Sequence, residues 1–301
     1  MAKNVVIAVD ATERSLDPLA LGKLLADCSG APVVLGSVFP YHPLADPTGE
    51  ELTRVREEAR AILGELADEA GVDVADAQVV ASNLAARELQ RVTEQETTGL
   101  VVVGSTSRGA VGRLLVGGVG ERLLAGSASP VAIAPRAYAE HAPDRLERIG
   151  VAFDGSDESR YAMQAGRWLV ESCGAKLRVI TVFEHRVLAA QATLVTGGAS
   201  INDLVRSELR SALDCLLAEQ PNDLAVEGRF LEGPAGELLA KESAELDLMV
   251  TGSRGYGPHA AVLLGSVTHR LMREAQCPVL VLPRGTGLDL RLQRSRAHPQ
   301  G

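Results

Sequence analysis

The chain of 301 residues is 46% hydrophobic, 23% charged and only 3% aromatic, so its core must be built from Val, Leu, Ile and Ala, a mix that suits parallel strands covered on both faces by helices. A formal net charge of −9 argues against a nucleic-acid binder, which carries a basic stripe, and no apolar run approaches the ~20 residues that cross a bilayer. The four cysteines (Cys28, Cys173, Cys215, Cys277) stand far apart, with no CxxC pair and no histidine at metal spacing, so buried, reduced thiols are expected rather than a disulfide framework or a zinc site.

Asn4 to Asp10 is an apolar strand ending in Asp, and a helix follows from about Ser15. Since that strand starts within a few residues of Met1, no signal peptide is expected and the location is expected to be cytoplasmic. Further strands fall near 32–38, 74–80, 99–104 and 130–134. The segment AYAEHAPDRLE (137–147) is polar and contains Pro143, which marks a linker. The pattern then starts again. Strands fall near 148–153, 176–183, 225–230, 247–252 and 278–282, and helices near 157–173, 200–219, 235–244 and 261–275. Val103-Gly-Ser-Thr-Ser-Arg-Gly109 matches Thr251-Gly-Ser-Arg-Gly-Tyr-Gly257, and the halves stay in step to Arg136 and Arg284 with roughly a third of positions identical.

The chain is therefore read as two tandem domains, 1–138 and 148–284, joined by a linker at 139–147 and followed by a disordered tail at 285–301. Alternating strands and helices imply parallel sheets with right-handed crossovers, so each domain should be a doubly wound, five-stranded, Rossmann-like α/β unit. In such sheets ligands bind beyond the carboxyl ends of the strands, where strand order reverses.

Two strand ends in the second half carry the chemistry. One is Phe153-Asp154-Gly155-Ser156. The other is Thr251-Gly252-Ser253-Arg254-Gly255, followed by nine residues and then Gly265-Ser266-Val267-Thr268, which opens a helix. Gly252 and Gly255 let the backbone turn and approach a ligand without a Cβ in the way. A helix opening at Gly265 points free amides and its positive dipole end at an anion, and Ser266 and Thr268 add hydroxyl donors. Asp154 would hold a ribose hydroxyl or a Mg²⁺ ion bridging phosphates. Arg254 is a candidate phosphate contact. The result is a phosphate cradle that needs no lysine.

At this point the chain resembles the universal stress protein family in its tandem form. ATP-binding members carry G-x2-G-x9-G-(S/T), matched by Gly252, Gly255, Gly265 and Ser266, and the Asp-ending first strand and terminal CPVLVLPR (277–284) resemble the family as well. The likeness runs over about residues 3 to 284. It implies an adenine nucleotide alpha hydrolase-like fold and a nucleotide site made of Ala152, Asp154, Gly155, Ser156, Val182, Thr251, Gly252, Ser253, Arg254, Gly255, Gly265, Ser266, Val267 and Thr268. It also implies that the last strand of each half pairs with its counterpart, giving an intramolecular pseudo-dimer, with further homodimerisation open. The first half is degenerate. Gly104 and Gly117 remain, but Ser107 replaces the second glycine and Gly118 the Ser/Thr, so Ala8, Asp10, Val38, Gly104, Gly117 and Gly118 form a weaker site.

Other readings fit less well. Gly104 to Gly109 has P-loop glycine spacing, but Ala110 stands where Lys is needed. No GxGxxG follows either first strand, no GxSxG elbow is present, and the histidines, His259 and His269 included, have no ligand spacing. The expected function is an ATP- and Mg²⁺-dependent switch or sensor with protein partners not identified by the sequence, and at most slow ATP hydrolysis. The loop from Phe183 to Ser200 would close over the nucleotide. AMP and cyclic AMP stay open as ligands, and the alternative is a scaffold that binds only protein partners.

Overall fold

The computed structural model describes residues 3–10, 15–40, 49–105, 114, 117–185, 201–253, 265–288 and 290. The first domain runs β1 (Asn4–Val9), α1 (Leu16–Ser29), β2 (Val33–Phe39), α2 (Glu50–Glu69), β3 (Val74–Ala81), α3 (Ala85–Thr93), β4 (Thr98–Gly104), α4 (Gly118–Gly126) and β5 (Val131–Ala134). The second repeats it: β6 (Arg148–Ala152), α5 (Asp157–Cys173), β7 (Lys176–Phe183), α6 (Ile201–Ala218), β8 (Val226–Glu232), α7 (Ala235–Glu242), β9 (Leu248–Gly252), α8 (Ser266–Glu274) and β10 (Val279–Leu282). The expected last helix from 261 starts at Ser266, and residues 261–264 lie outside the described residues.

The two five-stranded parallel sheets join into one. Strand order is β3-β2-β1-β4-β5-β10-β9-β6-β7-β8, parallel within each domain and antiparallel where β5 meets β10, with Leu280 opposite Ala132. The four strands around that seam are the most deeply covered. β5, β9 and β10 are buried along their whole length and β4 is buried up to Gly104. β3 and β8 form the outer edges and alternate or expose much of their length. An unpaired apolar edge invites association with other chains, and pairing β5 with β10 covers the two most apolar ones.

Two core layers run across both domains. Alternate strand residues such as Ile7, Leu35, Val151 and Val179 face α1, α2, α5 and α6, while Val6, Val103, Ile180 and Met249 face α3, α4, α7 and α8. The connection between domains is pinned rather than loose. Asp17 accepts from the amides of Ala137 and Ala139, both at 2.9 Å, and Asp247 Oδ2 accepts from Glu147 N and Arg148 N, both at 2.7 Å. Beyond Arg284, where a disordered tail was expected, Leu288 packs against the core and Leu290 is fully buried; residues 291–301 lie outside the described residues. The expectation of uniformly buried thiols is corrected: Cys277 is buried, Cys215 exposed, and Cys28 and Cys173 half-buried. Among the described residues no helix is long and apolar enough to cross a membrane.

Candidate functional site

Strand order reverses in the second domain at β6. From it the chain moves through α5 to β7 on one side, and β9 lies on the other. The carboxyl ends of β6, β7 and β9 therefore open onto one crevice, the place where doubly wound sheets take ligands.

At the end of β6 the chain turns through Asp154 and Gly155. Gly155 has φ 81°, a conformation that side-chain-bearing residues rarely adopt. Asp154 Oδ1 accepts from Ser156 N at 3.0 Å and Ser156 Oγ at 2.5 Å. Ser156 in turn caps α5, its Oγ accepting from Ser159 N at 3.2 Å. Asp157 and Glu158 complete an acidic first turn. The α5 start is thus already satisfied by its own residues and repels anions.

The start of α8 is the opposite case. Gly265 is its N-cap, no side chain caps it, and its first turn holds no acidic residue. Among the described residues nothing caps its first amides or offsets its dipole, and a helix start of this kind is the arrangement that receives an anion. Two bonds hold this helix end against β9: Gly265 N donates to Ser253 O at 3.0 Å, and Thr268 Oγ1 donates to Gly252 O at 3.0 Å. Ser253 N is held by Leu282 O at 2.8 Å. Gly252 and Gly265 therefore lie on the same side of the domain, in adjoining turns.

Two expected roles change in the structure. Thr268, expected to add a hydroxyl donor for the ligand, is 3% exposed and donates its hydroxyl to Gly252 O instead. Gly252 was read as clearing the way for a ligand, yet a Cβ there would lie 2.8 Å from Glu158 Cβ and 3.1 Å from Glu158 O. Its missing side chain lets β9 pack on the first turn of α5. Glu158 then pairs with Arg284 at 3.2 Å; neither residue was chosen for the site from the sequence, although Arg284 ends the CPVLVLPR segment.

Ala152, Val182 and Val267 are partly buried and pack against one core layer together with Leu231, which pairs with Val182 across β7 and β8. They stand at the carboxyl ends of β6, β7 and β8 and in the first turn of α8. Leu231 escaped the sequence reading because nothing in its own segment marks it. Thr251 is buried and bonds Gly252 O at 3.2 Å, and Ser266 is exposed. Arg254, Gly255, His259 and most of the segment from Phe183 to Ser200 lie outside the described residues. Among the described residues no cluster of His, Cys, Asp or Glu is positioned to hold a metal, so a Mg²⁺ ion at Asp154 would draw most of its oxygens from phosphate and water.

In the first domain Asp10 Oδ1 accepts from Ser15 Oγ and Asp10 N donates back to that oxygen, both at 3.1 Å. Ala8 packs on the second core layer, Val38 is partly buried near the end of β2, and Gly104 ends β4 exposed. Gly117 caps α4, which opens with Gly118 and carries Glu121 in its first turn. Ser107 lies outside the described residues.

The family model described as "Universal stress protein family" matches residues 1–135 and again 145–283. The chain belongs to the universal stress protein family. It is 29% identical over 229 residues to Universal stress protein Rv2319c of Mycobacterium tuberculosis, covering 75% of this chain and 77% of that one. A solved universal stress protein from Archaeoglobus fulgidus superposes with a TM-score of 0.68 at 22% identity, over 95% of this chain and 100% of its own. A further solved universal stress protein, in complex with cAMP, matches 46% of this chain and 96% of its own at 24% identity, with a TM-score of 0.32. Membership places this universal stress protein in stress response.

Proposed function

We propose that the second domain binds an adenine nucleotide, ATP with Mg²⁺, and that the protein works as a nucleotide-dependent switch in the stress response. The observation that carries this reading is the α8 start: uncapped, free of acidic residues, and fastened to the end of β9 next to the Asp154 turn. The amides of Ser266, Val267 and Thr268 and the exposed Ser266 hydroxyl would grip phosphates. Asp154 would meet a ribose hydroxyl or phosphate-bound Mg²⁺. Ala152, Val182, Leu231 and Val267 would supply apolar area for a base, and Thr251 and Ser253 would border the site; the sequence assigns Arg254 and Gly255 to it as well, and both lie outside the described residues. Such a site needs no lysine, because amides and a helix dipole carry the attraction. In this reading the chain's own groups bind and orient the nucleotide, the role of a switch.

Titration calorimetry of the purified chain with ATP, AMP and cyclic AMP, each with and without Mg²⁺, tests the reading and ranks the ligands. Mass spectrometry of denatured protein checks for nucleotide carried through purification. If neither detects an adenine nucleotide, the proposal fails.

A further inference from the structure

Helices α1 and α5 come from different domains and pack against each other. Each carries a cysteine in its last turn, Cys28 on α1 and Cys173 on α5. Read along the sequence these thiols are isolated, but the fold brings them to one carbonyl. Cys173 Sγ lies 2.9 Å from Leu169 O and Cys28 Sγ 3.7 Å from the same oxygen. Both thiols therefore donate to a single backbone oxygen, which sets the two sulfurs side by side across the α1–α5 contact. Both are half-buried.

We propose that Cys28 and Cys173 form a redox-active dithiol which a hydroperoxide converts into an interdomain disulfide. The Cys173 thiolate attacks one peroxide oxygen, the O–O bond breaks, and an alcohol (water, for hydrogen peroxide) leaves after taking up a proton, giving a sulfenic acid. Cys28 sulfur then attacks Cys173 sulfur; the S–O bond breaks, and the departing hydroxide leaves as water with the Cys28 proton. The two thiols lose two electrons and the peroxide gains them.

The order of attack follows from the surroundings. Carbonyl ends of two helices disfavour a thiolate at either position. When Cys173 ionises, the Cys28 S–H can turn from Leu169 O to its sulfur, and this bond, with the amide of Ala175, outweighs both the carbonyls and burial and brings the Cys173 pKa down to about 7. The same thiol–thiol bond, with burial, pushes the Cys28 thiol up. Cys173 is therefore the attacking sulfur and Cys28 the resolving one. The new bond would tie α5, which opens at the Asp154–Ser156 turn, to α1, which opens at Ser15 beside Asp10. The chemistry stands whether or not nucleotide binds.

The test uses full-length protein, reduced, freed of reductant, treated with hydrogen peroxide, alkylated and digested with trypsin without reduction. The expected product joins peptide 24–54 to peptide 168–176, each holding one cysteine, in monomeric protein, and it disappears with dithiothreitol. Its initial rate should fall about tenfold from about pH 8 to about pH 6, following the thiolate fraction of a group ionising near 7. In Cys28→Ser, dimedone should trap a sulfenic acid on Cys173; in Cys173→Ser, Cys28 should stay reduced. Circular dichroism establishes that both variants fold, and the wild-type cross-link decides the matter if they do not. Recovery of both peptides as alkylated thiols while Cys215 is oxidised, or cross-links from either cysteine to Cys215 or to another chain, overturns the proposal.

Discussion

The starts of α4 and α8 occupy equivalent places in the two domains, and their backbones are alike. Gly117 (φ −85°, ψ 174°) and Gly265 (φ −58°, ψ 151°) both cap in ordinary extended conformations, and neither helix has a side-chain cap. In both, the amide four residues on returns to the cap carbonyl, Glu121 N to Gly117 O at 2.9 Å and His269 N to Gly265 O at 2.8 Å. The side chains differ. Where α8 has Ser266, Thr268 and His269, α4 has Gly118, Gly120 and Glu121. The fold supplies a glycine-capped helix start twice, and the side chains decide whether an anion is welcome: a carboxylate in the first turn occupies the role a phosphate would take.

The largest expected effect comes from the cap glycines. Neither has a positive φ, so valine at either position introduces no backbone strain of its own. Gly265→Val should weaken binding of ATP with Mg²⁺ by about a hundredfold, the equivalent of losing one or two amide–phosphate bonds of ~1.5–3 kcal/mol. Gly117→Val should leave calorimetric binding unchanged. Equal losses in both would show that the domains share the ligand. Gly252 is unsuitable for this experiment, because a Cβ there strikes Glu158 and costs stability by overpacking.

A gain of function sharpens the same contrast. Gly118→Ser with Glu121→His gives α4 the hydroxyl and removes the carboxylate. The two changes together are worth roughly 1.5 kcal/mol, so nucleotide binding at the first domain should strengthen about tenfold, read as a second site in calorimetry. No gain would move the decisive defect to Ser107.

The repeat, the alternating elements and the two glycine turns are legible in the sequence because each is written in consecutive residues: an apolar run, an Asp at its end, a glycine before a helix. The span of α5, 157–173, is read correctly because Ser156 caps it and Gly174 stops it, both local signals. What is not legible depends on a partner from elsewhere. Gly252 looks like a ligand glycine until Glu158 is seen against it, and Thr268 like a free hydroxyl until Gly252 O is found beside it. Leu231 comes beside Val182 only through the pairing of β7 with β8. Cys28 and Cys173 meet only because β5 pairs with β10 and brings α1 onto α5.

Thr268→Val isolates the structural side of the comparison. It removes a side-chain bond that ties α8's first turn to β9 and leaves a buried carbonyl with one fewer donor, so stability should fall by about 1–2 kcal/mol, measured by urea denaturation. The same position in the first domain is Gly120, which has no hydroxyl to lose. A Thr268→Val protein as stable as wild type would mean that the helix end is held without this bond.

The smallest expected change in stability separates the two duties of Asp154. Its Oδ1 accepts from Ser156 N and Oγ, and an asparagine oxygen accepts the same two bonds. Asp154→Asn should therefore keep stability within about 0.5 kcal/mol of wild type, whereas Ser156→Ala, which deletes the α5 cap, should cost about 1 kcal/mol. Charge is what asparagine lacks, and charge is what a divalent cation requires. If Asp154 meets Mg²⁺, ATP affinity in the Asp154→Asn protein becomes the same with magnesium as with chelator, while the Ser156→Ala protein keeps the difference. A magnesium dependence that survives Asp154→Asn would place the ion elsewhere and reduce Asp154 to a turn residue, the role its counterpart Asp10 plays with Ser15 in the first domain.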